Sequence, residues 1–107
     1  VDPAHLCVSG FSDGASYALT LGLANGDLFT HCIAFSPGFL QAVEQVGKPR
    51  FFISHGNDDQ ILPVHLCSRR IVPRLERAGY DVRYREFAGG HTVPGEVASD
   101  AMQWFVA

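Results

Sequence analysis

With 107 residues the chain has room for a single domain and a modest core. Its 47% hydrophobic and 18% charged content fits a packed globular chain rather than a disordered one. The net charge of −3, without a basic run, argues against nucleic acid as a partner. The apolar runs fall far short of the roughly 20 residues a membrane span needs. Val1-Asp2-Pro3 has neither the basic start nor the apolar stretch of a secretory signal. Cys7, Cys32 and Cys67 are an odd set without metal-like spacing. They are expected to be free thiols in a reducing, cytoplasmic setting, with no metal and no cofactor.

The elements expected in chain order alternate between strand and helix. A first strand covers about Ala4 to Ser9, and a small-residue helix runs from Asp13 to Ala24, where Asn25-Gly26 offers a left-handed stop. His31 to Phe35 is a second apolar strand, closed by the breaker cluster Ser36-Pro37-Gly38. Phe39 to Val46 reads as a possible short helix, and Gly47-Lys48-Pro49 ends it. Arg50 to Ser54 is a third strand, and its unbroken Phe51-Phe52-Ile53 centre implies burial on both faces. A helix over about Pro63 to Ala78 contains Pro73, which should loosen it near Arg69, and Gly79 lies just past its end. Asp81 to Phe87 alternates, as an edge strand or one with a wet face does. The last helix, Pro94 to Val106, places Val97, Ala101, Met102 and Phe105 on one stripe. Alternating strands and helices imply a parallel sheet of about four strands flanked by helices, with functional residues just past the strand C-termini.

One pentapeptide sits where that rule wants a functional group. Gly10-Phe11-Ser12-Asp13-Gly14 joins the first strand to the first helix, a G-x-S-x-G turn that presents a strained, exposed serine. The turn is so sharp that a side chain at either flank is expected to collide with the chain, hence glycine at both. The helix N-terminus places free N–H groups beside the serine, and the Asp13 N–H is the candidate oxyanion donor. A serine hydroxyl needs an imidazole to take its proton, and the imidazole needs a carboxylate to fix its tautomer. Among five histidines only His91 has the right setting, a glycine-rich loop after the last strand. His55 closes the third strand and is expected to order the loop that carries the acid. Asp58 and Asp59 both lie in that loop, and spacing alone does not separate them.

The strings Gly10 to Ala18, His55 to Pro63 and Gly89 to Pro94 resemble the bacterial phospholipase/carboxylesterase group of α/β-hydrolases. So do Arg69 to Leu75 and Tyr80 to Phe87, and the resemblance covers nearly the whole chain. The group's His-Gly-x-x-Asp pattern puts the acid on Asp59. The nucleophile is serine, unlike the cysteine of the similarly built dienelactone hydrolases. The resemblance matches only the second half of such an enzyme, so residues 1–107 are expected to form one partial domain. The earlier strands, and the loop that supplies a second oxyanion donor, have no counterpart.

The expected activity is hydrolysis of carboxylic esters with short to medium acyl chains, through an acyl-enzyme on Ser12, His91 and Asp59. Phe11, Phe35, Phe39, Ile61 and Leu62 lie near strand ends and are candidates for an apolar acyl pocket. A thioesterase or peptidase on the same three residues is a rival reading, as is a non-catalytic remnant serving as a binding or dimerisation module. The strand at Ala4 to Ser9 should have an open edge. It is expected to pair with a second copy, giving a homodimer, or with the N-terminal half of a longer chain.

Overall fold

In the computed structural model, residues 5–41 and 43–107 are described. Four strands, β1 (Cys7–Phe11), β2 (His31–Phe35), β3 (Arg50–Gly56) and β4 (Val82–Phe87), alternate with α1 (Asp13–Ala24), α2 (Ser68–Arg77) and α3 (Gly95–Val106). The strands form one parallel sheet in the order β1-β2-β3-β4, so the α/β architecture expected from the alternation is the one observed. All four strand C-termini therefore lie at one end of the sheet.

Alternation along the strands divides the core. Cys32 and Ala34 of β2 and Phe51 and Ile53 of β3 face α1 and α2, packing against Leu19, Leu23, Ile71 and Leu75. Ile33, Phe52 and Phe87 face the other way, against Val97 and Ala101 of α3. The aromatic run in β3 is thus buried on both faces, with Phe51 and Ile53 fully covered. On α3, Met102 is 55% exposed and Trp104 packs instead, which corrects the expected stripe.

Several boundaries differ from expectation, for local reasons. β1 extends through Gly10 and Phe11, because their register partners Ala34 and Phe35 continue the ladder. The start of the expected strand, Ala4, lies outside the described residues, as do Val1 to Pro3. The possible helix at Phe39 to Val46 is irregular chain in its described part, and Ala42 falls outside it. Leu40 and Val43 still pack onto the α1/α2 face there. α2 begins at Ser68 rather than Pro63, since the Val64–Cys67 segment is turn. Pro73 lies inside the helix and has no N–H to donate to the Arg69 carbonyl four residues back, in the first turn, where Arg69 is exposed. Asn25 has φ −133° and Gly26 is not left-handed, so the expected left-handed stop is absent. Glycine is needed at 26 for another reason, since a Cβ there would run into the Val46 carbonyl and Pro49.

β4 is one edge of the sheet among the described residues, one of the two readings its alternation allowed. There Arg85 pairs with Asp100 and Glu96 of α3. β1 is the other edge, with β2 as its sole neighbour among the described residues. No helix among the described residues is long and apolar enough to cross a membrane. Cys7, Cys32 and Cys67 are free thiols, and burial pushes Cys7 up to about 11.

Candidate active site

Ser12 stands at the end of β1 with φ 59° and ψ −122°, a conformation that costs about 1–3 kcal/mol and needs its surroundings to hold it. Part of that hold is its own N–H, which donates to the Phe35 carbonyl at the end of β2 at 2.9 Å. Gly10 is required, because a Cβ there would overlap the Gly14 carbonyl as the chain folds back into α1. Gly14 is different. A Cβ at that position meets nothing within 4 Å, so the expectation of a collision at both flanks holds at one only.

The loops that carry Asp59 and His91 leave the ends of β3 and β4 and lock together. The Asn57 N–H donates to the Phe87 carbonyl at 2.9 Å, and the Asp58 N–H to the Gly89 carbonyl at 2.9 Å. Gly56 sits under the carbonyls of Gly89 and Gly90, where no side chain would fit. This close approach brings His91 over the sheet end. Its Nδ1–H donates to Asp59 Oδ2 at 2.6 Å, and its Nε2 accepts from the Ser12 hydroxyl at 2.9 Å. The tautomer follows from the partners, since a carboxylate can only accept.

Asp59 is buried, whereas Asp58 is exposed at the rim, so tertiary structure separates the two carboxylates that spacing left equal. Burial pushes the Asp59 carboxyl upward. The N–H of Leu62, the His91 ring and the N–H of Ile61 together outweigh that and hold it below the usual carboxylate range. Its Oδ1 takes both amides, Ile61 at 2.9 Å and Leu62 at 2.8 Å. An ionised, oriented carboxylate behind an imidazole that faces a hydroxyl is an arrangement able to move a proton off that hydroxyl.

The first intrahelical bonds of α1 come from the N–H groups of Ala15 and Ser16 to the Ser12 carbonyl. The Asp13 and Gly14 amides therefore precede the helical ladder. Ser16, which none of the motifs includes as a site residue, holds the chain that follows β2. It is fully buried, and its hydroxyl accepts from the Gly38 and Phe39 amides at 2.9 and 3.2 Å. Those two amides are thereby occupied. A polar residue on the apolar Ala15–Leu19 face of a helix was the only available signal.

Of the five apolar candidates, Phe11 and Ile61 stand beside the imidazole, whereas Phe35 and Phe39 have their contacts elsewhere. Phe11 lays its ring on the His91 imidazole, with centroids 4.8 Å apart. Phe35 is half-buried against the cluster under α3. Phe39 is 44% exposed and meets Tyr17 edge-on. Ile61 is 69% exposed, and Leu62 is half-buried with its methyl groups near Gly38. An open hollow of about 430 Å³ beside the imidazole is lined by Asp58, Gln60, Ile61, Gly90 and His91. A larger cleft of about 600 Å³ lies elsewhere, between β4 and α3. It is lined by Arg50, Arg83, Arg85, Asp100 and Trp104 among others and shares no residue with the centre. Arg50 is engaged by Asp81, and Arg85 by Asp100 and Glu96. No group of three or more His, Cys, Asp or Glu side chains among the described residues is placed to hold a metal ion.

The sheet, the strained serine turn and the two loops define one half of an α/β-hydrolase fold, the second. No protein-family model and no curated protein sequence matches the chain. Solved structures do match it. Esterase PE8 is 31% identical with a TM-score of 0.87, the match covering 99% of this chain and 51% of that one. SOBER1 from Arabidopsis thaliana is 19% identical with a TM-score of 0.86, covering 99% and 54%. The carboxylesterase of Bacillus cereus is 21% identical with a TM-score of 0.82, covering 98% and 50%. The carboxylesterase-like resemblance read from the motifs is therefore also a resemblance of structure. The chain spans about half the length of each of these proteins.

Proposed function

We propose that this chain carries the reacting half of a serine ester hydrolase. The observation that supports it is the unbroken relay from the Ser12 hydroxyl through His91 to Asp59, at 2.9 and 2.6 Å. Ser12 Oγ attacks the ester carbonyl while His91 Nε2 takes its proton. The oxyanion that forms faces the Asp13 N–H at the start of α1. Collapse expels the alcohol, which receives the proton from His91, and leaves an acyl-serine. Water, activated by the same imidazole, releases the acid. Uncharged esters of short to medium acyl length suit the apolar rim of Phe11, Phe39, Ile61 and Leu62, with Phe35 behind it. A thioester would react by the same steps.

The test is covalent labelling of the protein with a fluorophosphonate, read by intact mass. One adduct is expected on Ser12 and none in Ser12→Ala. A folded wild-type protein that takes no label would sink the proposal. That result would favour a non-catalytic binding or dimerisation module, the second reading, which the open β1 edge supports. We further propose that the 107 residues act as one partial domain in the cytoplasm. The free edge of β1 is then covered in the working protein, by strands of a longer polypeptide or by a second copy forming a homodimer. A stable, well-folded monomer at micromolar concentration in light scattering would refute that cover.

A further inference from the structure

The buried imidazole of His55 takes no part in the proton relay, yet it lies directly behind it. It is 0% exposed, and both ring nitrogens are engaged. Nε2 lies 2.6 Å from the Leu62 carbonyl oxygen, which can only accept, so the proton is on Nε2. Nδ1 lies 2.7 Å from the hydroxyl of Ser68, the first residue of α2, which is also fully buried and donates to it. The same Nε2 is 3.3 Å from Asp59 Oδ2.

Leu62 is consequently gripped on both sides. Its N–H donates to Asp59 Oδ1 at 2.8 Å, and its carbonyl accepts from His55 at 2.6 Å. We infer that His55 is a positioning residue for the Asp59 carboxylate. It acts through the Leu62 backbone and is itself locked in one tautomer by Ser68. The inference rests on the reading of Ser12, His91 and Asp59 as the reacting group. What the His55–Leu62 bond removes is rotational freedom. A carboxylate pinned by one imidazole can still turn about its Cβ–Cγ bond. Two amides on Oδ1 remove that freedom only if their own loop is fixed, and the His55–Leu62 bond fixes it. Orientation errors of about 1 Å in such a group cost on the order of a hundredfold in turnover. A bond whose sole role was to tie β3 to α2 would have no need of Leu62, since Ser68 alone supplies that tie.

The experiment compares His55→Gln, His55→Leu and Ser68→Ala in the active assembly. It reads ester kinetics together with the downfield NMR resonance of the His91 Nδ1 proton. Glutamine can return a donor to the Leu62 carbonyl and is expected to stay within about threefold of wild type in kcat. His55→Leu is expected to lose about 10–100-fold in kcat with KM little changed, and to shift or broaden the Nδ1 resonance. Ser68→Ala, which frees the ring to turn, is expected to fall between them. If His55→Leu does not fold, the order of Gln above Ser68→Ala carries the test. A folded His55→Leu protein with an unmoved resonance and unchanged kcat overturns the inference, as does a glutamine variant no better than leucine. The resonance is readable in inactive protein. A failure of the esterase reading therefore leaves it standing, while a failure of the positioning role does not.

Discussion

The two sides of the sheet are finished to different degrees. β3 has neighbours on both edges, a helical layer on each face, and loops at its C-terminal end that lock to one another through Asn57, Asp58 and Gly56. β1, which leads into Ser12, has one neighbour among the described residues, an exposed Ser9 and a 41% exposed Phe11. The helix that follows it leaves Tyr17 and Leu21 at 61% and 47% exposure, and Gly14 faces open space. Asp59 and His91 are thus held from within, whereas Ser12 is held from one side. In the proposed reaction, proton transfer depends on the finished side. Stabilisation of an oxyanion needs donors around the unfinished one, where Asp13 offers an amide and those of Gly38 and Phe39 are taken by Ser16.

The sharpest test of this contrast removes a group from the finished side and adds cover to the unfinished one. His91→Ala should lower ester turnover by a factor on the order of 10⁴ or more, measured under saturating p-nitrophenyl ester. Supplying whatever covers β1 should raise the turnover of the 107-residue chain by about a hundred- to a thousandfold, the worth of one oxyanion donor. No gain on assembly would mean that the open edge has no bearing on the chemistry.

Packing should show the same asymmetry. Phe51→Ala, in the doubly covered β3, is expected to cost about 3–5 kcal/mol in denaturant unfolding. Val8→Ala, in half-buried β1, should cost about 1 kcal/mol. Equal costs would mean that β1 is as well covered as the centre of the sheet.

Gly10 and Gly14 flank the same serine but differ in their surroundings. Gly10→Ala forces the turn open and should cost about 1–3 kcal/mol or more, with loss of labelling at Ser12. Gly14→Ala, in the first turn of a helix with free space around it, should change stability by no more than about 1 kcal/mol, in the stabilising direction. A strongly destabilised Gly14→Ala protein would show that something occupies that space.

The smallest effect concerns acid. The Arg69 guanidinium, with help from the Tyr84 hydroxyl, holds Glu86 at about 2 against an ordinary 4.5, although burial works the other way. Asp59 is also held low. A carboxyl whose folded pKa is depressed contributes stability that is complete above its unfolded value and disappears as pH falls through the folded one. Unfolding followed against pH should therefore show a loss of stability between about 4.5 and about 2 that Glu86→Gln reduces. An identical acid profile in that variant would remove Glu86 from the account.

Much of this was legible before the structure, and the reason is local. The serine turn, the strand order and the loop histidine are written in glycine placement and apolar periodicity, which act over a few residues. A strand has to end at Phe35 when Ser36-Pro37-Gly38 follows it, and Phe51-Phe52-Ile53 has to be covered on both faces. Where several local solutions are equal, neighbouring residues do not choose among them. Asn25-Gly26 looks like a left-handed stop, yet Gly26 is there for Val46, about twenty residues away. Met102 and Trp104 are equally able to face inward, and the shape of the cluster around Ile33 and Phe52 selects tryptophan.

The amino-acid sequence by itself determined a parallel α/β sheet with a serine at one strand end and a histidine at another, because hydrophobic period and chain-reversing residues are short-range properties. Spacing left Asp58 and Asp59 equal and a family resemblance favoured Asp59, but only tertiary structure set Asp59 behind His91, gave the amides of Gly38 and Phe39 to Ser16, and brought His55 to Leu62. Those choices depend on which groups lose water together when distant segments close over one another. That burial and those hydrogen bonds arise from the fold as a whole, and no window of neighbouring residues contains them.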